Sequence, residues 1–169
     1  IQGDLEFTNH LHKMGCKISH KENTIQIQGP ETLKGLGTVD MNTTPDLVMT
    51  FAILATVTPG TTRLTNIANL RIKECDRLKA LKTELEKLET KVTTGKDYIK
   101  IKGEPLEDFI ARNHHKKISI NTYDDHRIAM AFGVLKKTIL PNLKIKTPHI
   151  VRKSYPEFWS DLNKLNRNK

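Results

Sequence analysis

Two stretches of this chain repeat one another. A repeat this long confines the fold to similar α+β units packed around a shared core rather than a short-repeat solenoid. Aligning the segment from Leu11 with that from Leu85 places Lys13 on Lys87, Lys17 on Lys91, Ile25 on Ile99, Ile27 on Ile101 and Gly29 on Gly103. Each copy reads as the end of an amphipathic helix followed by a hairpin. The first hairpin pairs 17–20 with 24–28 around Glu22-Asn23, and the second pairs 91–93 with 98–102 around Gly95-Lys96-Asp97. Alternating apolar and polar residues predict one buried and one wet face for each hairpin. A second match superposes Met49, Phe51 and Leu54 on Met130, Phe132 and Leu135, in helices beginning near Pro45-Asp46 and His126-Arg127. Strand-like pieces precede these helices at 38–41 and 117–121, and others follow at 61–65 and 143–146. The expected unit is helix, hairpin, strand, helix, strand. It occupies about 1–67 and again, with extra residues, about 68–150, before a C-terminal strand and helix over 151–169.

The 169 residues suffice for one ordinary domain, and 37% hydrophobic with 28% charged residues fits a globular rather than a disordered chain. The longest mostly apolar run, 47–57, is too short to span a bilayer, and no signal-peptide pattern opens the chain. Cys16 and Cys75 lack Cys-x-x-Cys spacing, which argues against a zinc ribbon and fits a reducing, cytoplasmic setting. His114-His115 has no third residue at metal-ligand spacing, so no metal is expected. A formal charge of +9 implies attraction to anions. The aromatic residues do not interleave with the basic ones as a base-stacking platform would, so no nucleic acid partner is expected, although charge alone does not choose between a polyanion and a small anion. Lys164, Arg167 and Lys169 read as a solvated tail.

Two charged helix starts stand out. Asn69-Leu70-Arg71-Ile72-Lys73-Glu74-Cys75-Asp76-Arg77 carries three cations and two carboxylates. Apolar spacing through Ile72, Cys75, Leu78, Leu81, Leu85 and Leu88 predicts one amphipathic helix from Ile72, with Glu74 on or beside its inward face. Lys73, Glu74 and Arg77 then meet at one helix end. A carboxylate held there fits an acid or anion-site component, and it fits equally a first-turn Glu stabilised by the helix dipole. The second start emerges from the repeat, because Asp46 and Arg127 occupy matching first-turn positions with opposite charge. An acid there complements the helix dipole, whereas an Arg opposes it. Either Arg127 binds an anion together with the helix terminus, or Asp124 and Asp125 neutralise it.

Three ordered elements carry a resemblance. They are the 69–77 segment, Asn121-Thr122-Tyr123-Asp124-Asp125-His126-Arg127-Ile128-Ala129-Met130, and Val151-Arg152-Lys153-Ser154-Tyr155-Pro156-Glu157-Phe158-Trp159. With Asp40-Met41-Asn42 ahead of Pro45-Asp46, they resemble the C-terminal part of the 5-enolpyruvylshikimate-3-phosphate synthase family, from about Gly3 to Leu162. The resemblance implies an α+β fold of repeated βαβαββ units, of the inverse α/β barrel type, with this chain as an incomplete one of two domains. It implies transfer of the enolpyruvyl group from phosphoenolpyruvate to the 5-hydroxyl of shikimate 3-phosphate, without cofactor, by a monomeric parent. It assigns Asp46 to the shikimate 5-hydroxyl as proton acceptor or stabiliser, Asn69 and Lys73 to shikimate 3-phosphate, and Glu74 to protonation of the phosphoenolpyruvate methylene. Arg77 and Arg127 resemble the pair that holds the phosphoenolpyruvate carboxylate. Lys153 resembles a phosphate ligand and proton carrier, with His126 as their neighbour. The family's N-terminal domain has no counterpart here, so the chain is expected to be an inactive fragment of a longer enzyme. A nucleotide-sugar enolpyruvyl transferase shares the repeats but matches the Lys-Glu-x-x-Arg and Asp-His-Arg set less well. A non-enzymatic basic module is the other alternative.

Overall fold

The computed structural model describes residues 5–165. Its centre is a four-stranded sheet in the order β3-β4-β6-β5, built from β3 (Thr38–Asp40), β4 (Gly60–Thr65), β5 (Lys91–Thr94) and β6 (Ile99–Gly103). β3 runs parallel to β4, while β6 is antiparallel to both β4 and β5. Leu64 lies opposite Ile99 and Val92 opposite Ile101, so one face of the sheet is apolar and buried. Helix α2 (Val48–Thr56) packs on the sheet and against α5 (His126–Thr138). In α2, Val48, Met49, Phe51, Ala52, Ile53 and Ala55 are all buried, as required of a helix that is apolar on nearly every side. Gly103 lets β6 approach the end of α2, since a Cβ there would fall on the carbonyl oxygens of Ala55 and Thr58.

The two copies are visible in space. The first supplies α1 (Glu6–Lys13) and the hairpin β1 (Lys17–Lys21) with β2 (Thr24–Gln28); the second supplies α3 (Arg77–Glu86) and the hairpin β5–β6. The chain leaves α1 through Gly15 at φ +102 and leaves the turn after α3 through Glu89 at φ +58. Aligned positions therefore both take the left-handed conformation, although only one is glycine.

Three expectations need correction. The hairpins are not equivalent: the second joins the central sheet, whereas the first forms its own two-stranded sheet and leaves Ile25 and Ile27 exposed. Helix α3 begins at Arg77 rather than Ile72. The Asp76 side chain accepts a hydrogen bond from the Lys79 N–H at 3.0 Å, capping the helix there. Residues Ala68–Ile72 form a separate 3-10 turn and Ile72 is 86% exposed, so the buried stripe starts at Leu78. The extra residues of the second copy form α4 (Leu106–Asn113), anchored by buried Phe109 and by the Asn113 amide, which donates to the Leu88 carbonyl at 3.2 Å. Finally, 151–153 belong to a 3-10 helix, Pro148–Lys153, not to a strand. Pro148 suits a helix start and has no N–H for a ladder. The following helix, α6 (Phe158–Lys164), is where the sequence placed it, while Arg167 and Lys169 lie outside the described residues. Short strands β7 (Ser119–Ile120) and β8 (Lys144–Ile145) pair in parallel beside α5. No described helix is long and apolar enough to cross a membrane.

Candidate active site

Arg77 organises the site. Its guanidinium is 2% exposed and meets three carboxylates: Nε donates to Asp125 Oδ2 at 2.7 Å, Nη1 to Asp46 Oδ1 at 3.0 Å, and Nη2 to Glu74 Oε2 at 2.9 Å. A planar fork with five donors is the side chain able to serve three acceptors at once. Asp125 is fully buried and does two things. One oxygen holds Arg77, and the other accepts the N–H groups of Arg127 and Ile128 at 2.8 and 3.2 Å, capping α5. Burial works against the Arg77 charge, but the bond to Asp125 and the charges of Asp125, Glu74 and Asp46 together outweigh it and leave the Arg77 pKa raised.

The periphery is more exposed. Arg127 Nη2 pairs with Asp46 Oδ2 at 2.9 Å, so the two repeat-equivalent helix starts meet as an ion pair. The Arg127 charge is met directly by Asp46 across the interface, while Asp125 complements the start of α5 through its cap. Glu74 sits in the loop before α3, not on the helix, and its two oxygens are divided between Arg77 and Lys153, whose Nζ donates to Oε1 at 2.9 Å. The hydrogen bond from Lys153 is the main reason the Glu74 carboxyl is held down to about 2. His126 Nδ1 lies 3.7 Å from the same Glu74 oxygen. Burial lowers the His126 pKa, which favours the neutral ring, and Nδ1 has no hydrogen-bond partner among the described residues. Cys75 approaches Asp125 at 3.9 Å, and burial with the neighbouring carboxylate pushes its thiol up to about 11, which makes it a poor nucleophile.

Of the residues singled out in the sequence, Asp46, Glu74, Arg77, His126, Arg127 and Lys153 converge here. Asn69 and Lys73 do not join the network. Asn69 lines a separate polar hollow of about 450 Å³ with Asn42, Asn66, Ala68 and Asp97. Lys73 ends the 3-10 turn in an extended conformation, exposed and without an ion pair among the described residues. Arg71 holds the segment in place, binding Asp76 at 2.7 Å and the Lys96 carbonyl of the second hairpin turn at 3.0 Å. Asp125 is the member of this network that the sequence did not place among the site residues. An Asp immediately before a helix marks a cap, and nothing local in the sequence reports its second bond to Arg77, 48 positions away.

Three cations are interleaved with three carboxylates where the two repeated units meet, on a mixed sheet backed by apolar helices, an arrangement suited to binding small anions. The solved EPSP synthase from Acinetobacter baumannii superposes with a TM-score of 0.70 at 26% identity, covering 93% of this chain and 38% of that one. The model of the EPSP synthase (3-phosphoshikimate 1-carboxyvinyltransferase) family matches residues 1–162, and the chain belongs to that family. It is 41% identical over 162 residues to the 3-phosphoshikimate 1-carboxyvinyltransferase of Hamiltonella defensa, covering 96% of this chain and 35% of the relative. It is 42% identical over 165 residues to that of Haemophilus influenzae, covering 98% and 36%. The chain thus spans little more than a third of the length of the relatives it matches.

Proposed function

We propose that the parent protein transfers the enolpyruvyl group from phosphoenolpyruvate to the 5-hydroxyl of shikimate 3-phosphate, releasing phosphate, and that this chain supplies one wall of its active site. The supporting observation is that Arg77 and Arg127 converge on one carboxylate, Asp46, while Lys153 and Arg77 bracket Glu74. The buried Arg77–Asp125 bond is the fixed part of this arrangement. The Arg127–Asp46 and Lys153–Glu74 pairs are exposed enough for an incoming anion to replace them at low cost.

On this reading the phosphoenolpyruvate carboxylate takes the donors of Arg77 and Arg127, and its phosphate takes Lys153. Asn69 and Lys73 contact shikimate 3-phosphate from the neighbouring hollow, and His126 borders the reacting groups. Withdrawing Lys153 from Glu74 and bringing a polyanion beside it raise the Glu74 pKa, turning a carboxylate into an acid where one is needed. Glu74 then protonates the methylene carbon, which makes the adjacent carbon electrophilic. The 5-hydroxyl oxygen adds there and yields its proton to Asp46. Loss of phosphate and of one methyl proton restores the double bond in the product. The rest of the site comes from the remaining length of the parent, as the relatives' extra length supports, so the 169-residue chain alone is inactive.

The test is phosphate release by the full-length parent from phosphoenolpyruvate with and without shikimate 3-phosphate. Release that depends on shikimate 3-phosphate, and that falls at least about 100-fold in Glu74→Gln, is the expected result for loss of a positioned acid. A folded parent with no such dependence overturns the reading.

A further inference from the structure

We infer that Glu84, outside the ion-pair network, is a positioning residue for the loop that presents Asp125, His126 and Arg127. The inference rests on the functional reading above only for the meaning of those three residues. The loop spans 121–125 and contains two consecutive non-glycine residues in the left-handed region, Tyr123 and Asp124, both at φ +54. Such residues are strained, and a consecutive pair persists only where surrounding groups determine it.

The determining group is a buried carboxylate. Glu84 lies on α3, two turns beyond Arg77, and its side chain is fully buried. Oε1 accepts the Tyr123 hydroxyl at 2.6 Å, while Oε2 accepts the Asn121 N–H at 3.1 Å and the Lys87 ammonium. Lys87 Nζ also donates to the Ser119 carbonyl at 3.0 Å, which ties the start of β7 to the same point. One carboxylate therefore holds the loop before and within its left-handed pair. The chain then closes a turn from the Asp125 N–H to the Thr122 carbonyl at 2.9 Å and enters α5.

This gives α3 two grips on one loop. Arg77 holds its end through Asp125, and Glu84 holds its middle through Tyr123. A carboxylate buried at this depth is stable only if all its partners are kept, which makes the loop conformation all-or-none rather than graded. Arg127 and His126 inherit their placement from that conformation. The bonds from the Asn121 N–H and the Tyr123 hydroxyl are what separate Glu84 from an ordinary buried ion pair with Lys87, because they hold the segment that carries the site.

The test uses the full-length parent with Glu84→Gln and Tyr123→Phe; the second removes one hydroxyl and leaves the buried charge in place. Both are expected to raise KM for phosphoenolpyruvate, by about tenfold for Glu84→Gln, equivalent to about 1.4 kcal/mol, and by a smaller factor for Tyr123→Phe. KM for shikimate 3-phosphate should stay within about twofold, below the tenfold that 1.4 kcal/mol would give. Hydrogen exchange at the amides of 121–128 should accelerate in both, with the central sheet unchanged. Unaltered exchange in Tyr123→Phe, or a loss of stability without the split between the two KM values, overturns the proposal. If the unsubstituted parent shows no shikimate 3-phosphate-dependent release, the functional reading fails by itself and the exchange measurement decides the role of Glu84.

Discussion

Replacing Asp125 with Ala removes two functions of one buried side chain, and the structure allows them to be separated. The first is the cap: two N–H groups of α5, at 2.8 and 3.2 Å, lose their acceptor, costing about 1 kcal/mol. The second is the bond to Arg77. Breaking a buried pair costs about 3–5 kcal/mol when the remaining charge is stranded. Arg77 retains Asp46 and Glu74 at 3.0 and 2.9 Å, so the lower end applies. The expected total for Asp125→Ala is about 4 kcal/mol. Asp125→Asn keeps the shape and, with its oxygen turned to the two N–H groups, an equally good cap, but it sets an NH2 donor against the Arg77 Nε–H and so loses that bond; it should cost about 1 kcal/mol less, the share of the cap. Urea unfolding followed by the fluorescence of Trp159, the single Trp, which lies against Gly133 of α5, reports both values. With a slope of about 2 kcal/mol/M, the Asp125→Ala midpoint should fall by about 2 M. A loss below about 1 kcal/mol for Asp125→Ala, the scale of a cap alone, would refute the claim that this carboxylate anchors Arg77. Identical losses in the two variants would refute the capping contribution.

Two further outcomes follow from the same geometry. Glu74 has a folded pKa of about 2 against an ordinary 4.5, so its contribution to stability is present above about 4.5 and is lost as pH falls through about 2. Lys153→Ala removes the main cause, so carboxyl carbon NMR should find Glu74 titrating at higher pH in that variant; titration near 4.5 in the unsubstituted protein would contradict the ion pair. The aligned glycines should differ sharply. Gly103→Ala forces a Cβ onto the Ala55 and Thr58 carbonyls and should cost about 3 kcal/mol, whereas Gly29→Ala meets nothing within 4 Å and should stay within about 0.5 kcal/mol in the same urea assay.

Residue pattern was enough to mark out the repeated units and most of the residues that converge in the network. Periodicity placed both hairpins, α5 and the short helix-strand pieces around them, because backbone conformation follows local side-chain pattern and turn residues. It also paired Asp46 with Arg127 as equivalent positions. What it could not contain is distance. The apolar spacing from Ile72 continues straight through Glu74, and only the Asp76 cap and the exposure of Ile72 reveal that Glu74 belongs to a loop. The first hairpin has the same alternation as the second, yet only the second joins the central sheet, since burial depends on what lies opposite a strand as well as on its own pattern. Tertiary structure alone decided that Arg127 is balanced by Asp46 and that Asp125 serves Arg77. Electrostatic partners are chosen by proximity in space, and in this fold the partners that matter lie 48 residues apart for Arg77 and Asp125, and 79 apart for Glu74 and Lys153.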